Sequence, residues 1–218
     1  MSLTADPQRL FSERPDLYAR FIRAVRYPQG LRAFWLASPL LRSGMRILEA
    51  GCGTGALTLG VWDAAARRDL PLAAFDAFDL TSAMLDRLRA TLARRGIVGI
   101  TLAQANVLAL DALPATWRDY DLLVSASMLE YVPRNRFVEA LAGLRARLRE
   151  GRPFVLFMSR RNPFTRLLVG RWWQSNLYTA AELRTACLAA GFRSVRFPGF
   201  PLAARYLATW GHVVEADR

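Results

Sequence analysis

The sequence predicts a doubly wound α/β fold, a mostly parallel sheet with helices on both faces, behind an N-terminal helical cap. Three observations carry this expectation. From Met45 onwards, short apolar runs of strand length alternate with longer segments whose apolar residues recur at helical spacing. One such run, Arg46-Ile47-Leu48-Glu49-Ala50, passes straight into Gly51-Cys52-Gly53-Thr54-Gly55 and then into a helical segment. Alternating glycines between a strand and a helix suit a turn where backbone approaches a ligand too closely for a Cβ. The next run, 72–80, closes on an acid, Asp79, about 20 residues beyond the glycines, where such sheets place an acceptor for ribose hydroxyls.

The 218 residues suffice for a domain with a sizeable core, 44–218, preceded by the helical cap, 1–43. Although 53% of the residues are apolar, no apolar run approaches the roughly 20 residues of a membrane span. Residues 1–7 lack the pattern of a secretory signal, and a cytoplasmic location is the expectation. Cys52 lies in the glycine turn and Cys187 in another element, so no disulfide framework is implied. With His212 the single histidine, no metal site is expected. All 30 basic residues are arginine, which excludes Schiff-base and lysine-nucleophile chemistry. The net charge of +12 suits nucleic acid, anionic lipid or acidic small molecules, or reflects a compositional preference for arginine. Because the arginines are scattered, the charge alone names no partner.

Taken in order, 16–26 reads as a helix with Leu17, Tyr18, Phe21, Ile22 and Val25 on one face and Arg20, Arg23 and Arg26 on the other, ended by Pro28. A second helix covers 29–41. After the glycine turn come a crossover helix at 56–68 with Leu57, Val61 and Ala65 inward, the second strand at 72–80, a helix at 81–95 and a third strand at 99–104. The fourth strand and its loop lie within 121–132, followed by a helix at 134–150 and a fifth strand at 154–158. An irregular insert at 160–178 holds Trp172 and Trp173. Thr179 and Glu182 have capping-box spacing and open a helix at 180–190, which stops at Gly191. Two late strands, 192–197 and 203–214, complete an antiparallel edge.

The spacing of the glycines matches neither a dinucleotide fingerprint nor a phosphate loop, and Glu49 argues for a ligand with a cationic group or hydroxyls. The run Glu49-Ala50-Gly51-Cys52-Gly53-Thr54-Gly55 resembles the first motif of the class I S-adenosylmethionine-dependent methyltransferases. Asp79-Leu80-Thr81-Ser82-Ala83-Met84-Leu85 resembles the second, and the turn Leu129-Glu130-Tyr131-Val132 is similar to another family feature. The resemblance covers about 45–214. It implies a seven-stranded Rossmann-like methyltransferase fold that binds S-adenosylmethionine through Glu49, Gly51, Cys52, Gly53, Gly55, Asp79, Leu80, Met84, Asn106, Val107 and Ser125. Asp79 also has the chemistry of an N-cap for the following helix. Asn106 stands where the family commonly has an Asp that accepts from the adenine amino group. An Asn oxygen can make that bond without charge, or form an Asx turn.

On the acceptor side, strand ends place Ser125, Ser127 and Met128 near the reacting methyl. Glu130, Tyr131 and His212 are candidates for a base, with loop support the alternative for Glu130 and an exposed place on an edge strand the alternative for His212. Tyr18, Tyr27, Arg160 and Trp173 are candidates for the substrate pocket, with core packing the alternative for tryptophan. The reading is methylation of a small molecule, anionic or lipid-like, with peripheral membrane association through the amphipathic 16–26 helix as an extension. Nucleic acid is not favoured, since the loop after the fourth strand reads Ser125-Ala126-Ser127-Met128 rather than a base-modifying motif. A cofactor-binding regulatory or RNA-binding module on the same fold is the alternative.

Overall fold

A computed structural model of the chain describes residues 20, 22–166 and 175–218. Residues 16–19 and 21 of the helix expected at 16–26 lie outside the described residues, Tyr18 among them, as do Trp172 and Trp173.

Strands β1 (Arg46–Ala50), β2 (Ala74–Asp79), β3 (Ile100–Gln104), β4 (Leu122–Ala126), β5 (Pro153–Ser159), β6 (Ser194–Arg196) and β7 (Gly211–Asp217) form one sheet in the order β3-β2-β1-β4-β5-β7-β6. The first five run parallel, and β7 pairs antiparallel with both β5 and β6. Helices α1 (Tyr27–Ala37), α2 (Ala56–Arg67), α3 (Ser82–Arg94), α4 (Phe137–Arg145) and α5 (Ala180–Ala189) surround the sheet. Strands covered on both faces need apolar residues at every position, and β4 and β5 accordingly read as nearly continuous buried runs. Successive residues then serve opposite cores: Ile47, Val124 and Phe157 pack with Leu31, Trp35 and Val61 of α1 and α2, while Leu48, Leu123 and Phe154 pack with Phe137, Leu141 and Leu183 of α4 and α5.

Two residues fix α1 against α2. At Gly60 a Cβ would lie 3.3 Å from the Arg32 backbone nitrogen, so glycine sets how closely the helices cross. Arg68 donates to the carbonyls of Trp35, Ser38 and Leu41 at 2.7 to 3.2 Å, satisfying acceptors that the end of α1 leaves open.

The elements differ from expectation at three places. Pro28 stands in the first turn of α1, which begins at Tyr27; proline is tolerated there because that amide needs no helical partner. The helix expected over 134–150 is a 3-10 turn, Arg134–Arg136, followed by α4, which ends at Arg145. Its tail is drawn off because Tyr120 donates to Arg147 and accepts from Arg149, making a parallel bridge with Leu148. The strand expected over 203–214 is instead a 3-10 helix, Leu202–Thr209, and β7 begins only at Gly211. Ala204 and Leu207 are its buried residues, three apart as a three-residue turn requires. Leu207 seats on Gly30 of α1, where an added Cβ would fall 2.2 Å from its Cδ1.

The capping box of α5 forms as expected: Thr179 Oγ1 accepts from the Glu182 amide at 3.2 Å, and Glu182 accepts from the Thr179 amide at 2.7 Å. Thr179→Ala should therefore lower stability by about 1 kcal/mol in a urea titration.

Candidate functional site

The carboxyl ends of β1, β2 and β4 open onto a cavity of about 540 Å³. It lies where the strand order turns back between β1 and β4, the crevice in which open α/β sheets seat their ligands. The three glycines of the turn after β1 all have left-handed φ, 75°, 51° and 94° for Gly51, Gly53 and Gly55, yet they serve different ends. An added Cβ would strike Met128 at Gly51 (2.2 Å) and Leu88 at Gly55 (2.4 Å). At Gly53 nothing lies within 4 Å, so its bare Cα borders the open cavity.

Asp79, the last residue of β2, holds this turn in shape. Its Oδ2 accepts from the Gly53 amide at 2.8 Å and its Oδ1 from the Thr81 amide at 2.9 Å. The helix cap position itself is Thr81, whose side chain makes no cap bond, so Asp79 supports the entry to α3 from two residues upstream. Burial raises its carboxyl above the ordinary range, opposed by the amides that it accepts from.

Glu49 sits one residue before the end of β1, buried to 1% and on the cavity wall. Burial pushes its carboxyl up to about 8, with Thr58 opposing and Asp79 adding to the rise. Its Oε2 has no hydrogen-bond partner. A buried carboxyl oxygen left open beside a cavity is a seat for a cation or a donor. Cys52 belongs to the wall, and burial raises its thiol, which leaves it inert.

Leu80, Met84, Asn106 and Val107 line the same cavity. The Oδ1 of Asn106 accepts from the Leu108 amide at 2.9 Å, closing an Asx turn after β3. Asn106→Asp keeps this acceptor and should leave S-adenosylhomocysteine affinity within a few-fold. Asn106→Leu loses about 0.5 to 1.5 kcal/mol if the same edge also meets adenine. Equal affinity for all three proteins in calorimetry would show that Asn106 is a turn former alone. Ser125 does not face the cavity: fully buried, it donates to the Ala50 carbonyl at 2.8 Å and ties β4 to the end of β1. Ala126, Ser127 and Met128 form the wall in its place.

Ser127 adopts φ 52°, an uncommon conformation for a residue with a side chain, and its hydroxyl lies 3.0 Å from that of Tyr27. Both residues also border a second, smaller cavity of about 60 Å³. Phe157, Met158, Phe200, Leu207, Trp210 and His212 form its other walls. Burial raises the Tyr27 phenol far above its ordinary value.

Glu130, 2% exposed, accepts from the Ser159 amide at 2.9 Å, and its backbone carbonyl accepts from Asn176. It pins the turn Leu129–Tyr131 to β5, and burial lifts its carboxyl to about 7. It borders the second cavity only, whereas Tyr131 borders both. Arg160 is exposed, donates to the Ala208 carbonyl at 3.3 Å and lines neither cavity. His212 pairs with Met158 of β5 and is half-buried; β6 lies outside β7 but pairs only with Glu215–Asp217. Phe200 and Trp210 escaped the sequence reading because the strand expected over 203–214 hid the three-residue period of Ala204 and Leu207.

Residues 47–151 match the model of a family described as a methyltransferase domain. The matched stretch runs from β1 to the threshold of β5 and contains the glycine turn, Asp79 and Asn106. No curated protein matches the chain by sequence. Among solved structures, magnesium protoporphyrin IX methyltransferase from Synechocystis, with bound S-adenosylmethionine, superimposes with a TM-score of 0.66 at 14% identity, covering 100% of both chains. The S-adenosylmethionine-dependent methyltransferase SibL, in its apo form, gives 0.70 at 18% identity, over 95% of this chain and 60% of its own. Phosphoethanolamine N-methyltransferase 2 of Haemonchus contortus, in complex with phosphomonomethylethanolamine and S-adenosylhomocysteine, gives 0.63 at 14% identity over 87% and 52%.

Proposed function

We propose that this chain, an S-adenosylmethionine-dependent methyltransferase, acts on a small-molecule acceptor that reaches the methyl group past Tyr27 and Ser127. The observation that carries the reading is the large cavity bounded by the bare Cα of Gly53 and by the carboxyls of Glu49 and Asp79. These residues fit the cofactor: Asp79 brings a carboxyl to the cavity wall for the ribose hydroxyls, the open Oε2 of Glu49 suits the ammonium of the methionyl arm, and Asn106 and Val107 stand for the adenine. When bound, S-adenosylmethionine supplies a methyl group on a sulfonium, so the leaving group is already activated. The protein's own work is alignment and exclusion of water.

Ile22 is buried on the walls of both cavities, whereas Arg20, Arg23 and Arg26 are exposed. This arrangement supports a lid before α1 that turns apolar residues onto the ligand and leaves its arginines in solvent. Among the described residues no helix is long and apolar enough to cross a membrane. The net charge of +12 supports an anionic or amphiphilic acceptor, and two free, buried cysteines suit a reducing, cytoplasmic setting.

The test is calorimetric binding of S-adenosylhomocysteine, followed by transfer of labelled methyl to a panel of metabolites, lipids and tRNA. Cofactor binding with label on a small molecule supports the reading. Binding without any transfer favours a regulatory module, and label on tRNA alone overturns the acceptor class.

A further inference from the structure

Thr58 is fully buried in the first turn of α2, and its hydroxyl has no hydrogen-bond partner. A threonine inside a helix ordinarily returns its hydroxyl to the carbonyl one turn earlier, as Thr91 of α3 does to Arg87 at 2.9 Å. The turn before Thr58 is the glycine loop, and no such bond forms there. Its amide also precedes the first ladder bond of α2, which runs from the Leu59 amide to the Gly55 carbonyl, and Gly55 brings no capping side chain. Strand alternation aims Glu49 at the same place. Ile47 packs with Leu57 and Val61 of α2, and Glu49, two residues on, points to that face of the sheet. Thr58 lies between Leu57 and Val61, and both its hydroxyl and its amide act on the Glu49 carboxyl, opposing the rise that burial causes. Thr58 Oγ1 and Glu49 Oε2 are thus orphaned buried oxygens on facing side chains, one able to donate and the other to accept.

We infer that Thr58 is a positioning residue for the cofactor: its hydroxyl and amide hold the ionised Glu49 carboxylate in place for the ammonium of the methionyl arm. The inference rests on the methyltransferase reading. An ionised carboxylate has lone pairs for the ammonium and for both Thr58 donors. The other titratable groups around it give no such help. Asp79 of β2 and the Cys52 thiol of the turn share its surroundings, and negative charge on either disfavours charge on Glu49. Tyr27 of α1 lines the same cavity with a phenol that burial keeps neutral, and β4 sets the uncharged Val124 beside Glu49. The start of α2 therefore supplies what the buried acid lacks, hydrogen-bond donors and the positive end of a helix dipole. Valine has the shape of threonine without the hydroxyl, so Thr58→Val removes one donor and keeps the packing. In that variant the carboxyl keeps its proton to a higher pH, and the proton must leave before the ammonium is held.

The test is calorimetric affinity of the full-length parent, Thr58→Val and Thr58→Ser for S-adenosylhomocysteine and for methylthioadenosine, which lacks the amino-acid arm. Near pH 7, Thr58→Val should weaken S-adenosylhomocysteine binding by about 10-fold or more, as loss of a hydrogen bond to a charged group does. Methylthioadenosine should bind the parent and Thr58→Val within about twofold of each other. Thr58→Ser keeps the hydroxyl and should stay near the parent. Loss of the donor raises the carboxyl above the parent's value of about 8, so the deficit should narrow as pH rises beyond 8 and both proteins ionise. At pH 8, Thr58→Val should release more protons on binding than the parent, seen as a steeper dependence of the heat on buffer ionisation. Thr58→Ala, smaller than valine, must show the same contrast between the two ligands, which separates loss of the hydroxyl from a misfit of valine. Equal affinity of parent and Thr58→Val for S-adenosylhomocysteine, an equal loss for both ligands, or a deficit that pH does not change would each overturn the assignment. Failure of the parent to bind S-adenosylhomocysteine would instead sink the methyltransferase reading itself.

Discussion

Asp79→Ala should weaken S-adenosylhomocysteine binding by about 5- to 150-fold, the equivalent of 1 to 3 kcal/mol for two lost hydroxyl contacts. The carboxylate does two jobs at once, and the variant should report both. Without ligand, the amides of Gly53 and Thr81 lose the oxygens that they reach at 2.8 and 2.9 Å, so the melting temperature should also fall. Asp79→Asn retains one acceptor oxygen and should lie between the parent and Asp79→Ala in both measurements. If Asp79→Ala binds like the parent, the cofactor does not meet this residue.

Glu49→Gln should move stability and affinity in opposite directions. In the ligand-free fold the Glu49 carboxyl titrates at about 8, against an ordinary value of 4.5, so the native state holds a proton there that the unfolded chain has released. A raised carboxyl favours folding relative to its ionised form only while protonated, and that advantage is lost as pH rises from 4.5 through 8. Glutamine has no such loss. The variant should therefore melt with the parent near pH 4.5 and increasingly above it towards pH 8. Cofactor affinity should fall by about 10- to 100-fold, because an ammonium loses a charge-assisted bond. Binding to the parent near pH 7 should release a proton, seen as a dependence of the calorimetric heat on buffer ionisation. Identical melting curves across this pH range would mean that the carboxyl is ionised in the fold.

The turn and acids of the large cavity were legible in the sequence because they are local. Glu49, the three glycines and Asp79 follow one another at the ends of adjacent strands, and backbone geometry dictates their residue types. Even there, the sequence could not show that Gly51 and Gly55 are glycine for the sake of Met128 and Leu88 while Gly53 borders the open cavity. The acceptor side was legible only in fragments. Tyr27 and His212 are 185 positions apart and meet one cavity through the insertion of β7 beside β5, a pairing that no local pattern encodes. Ser125 and Arg160 were misplaced for a related reason. Sequence position put them near the cavity, but the Ala50 and Ala208 carbonyls took their polar groups elsewhere.

The placement of β7 inside the sheet brings a late stretch of the chain to the second cavity, whose walls it shares with Ile22, Tyr27, Ser127 and Tyr131 of the first. The turn and acids of the large cavity belong to the first three strands, whereas the second cavity draws Phe157, Phe200, Leu207, Trp210 and His212 from β5 onwards. Substitutions in the later stretch can thus change the aromatic wall while the turn and the acids of the large cavity stay in place. On this account the protein is a fixed handle with an exchangeable bit, and swapping residues of 197–212 between related chains should transfer acceptor preference without altering donor affinity.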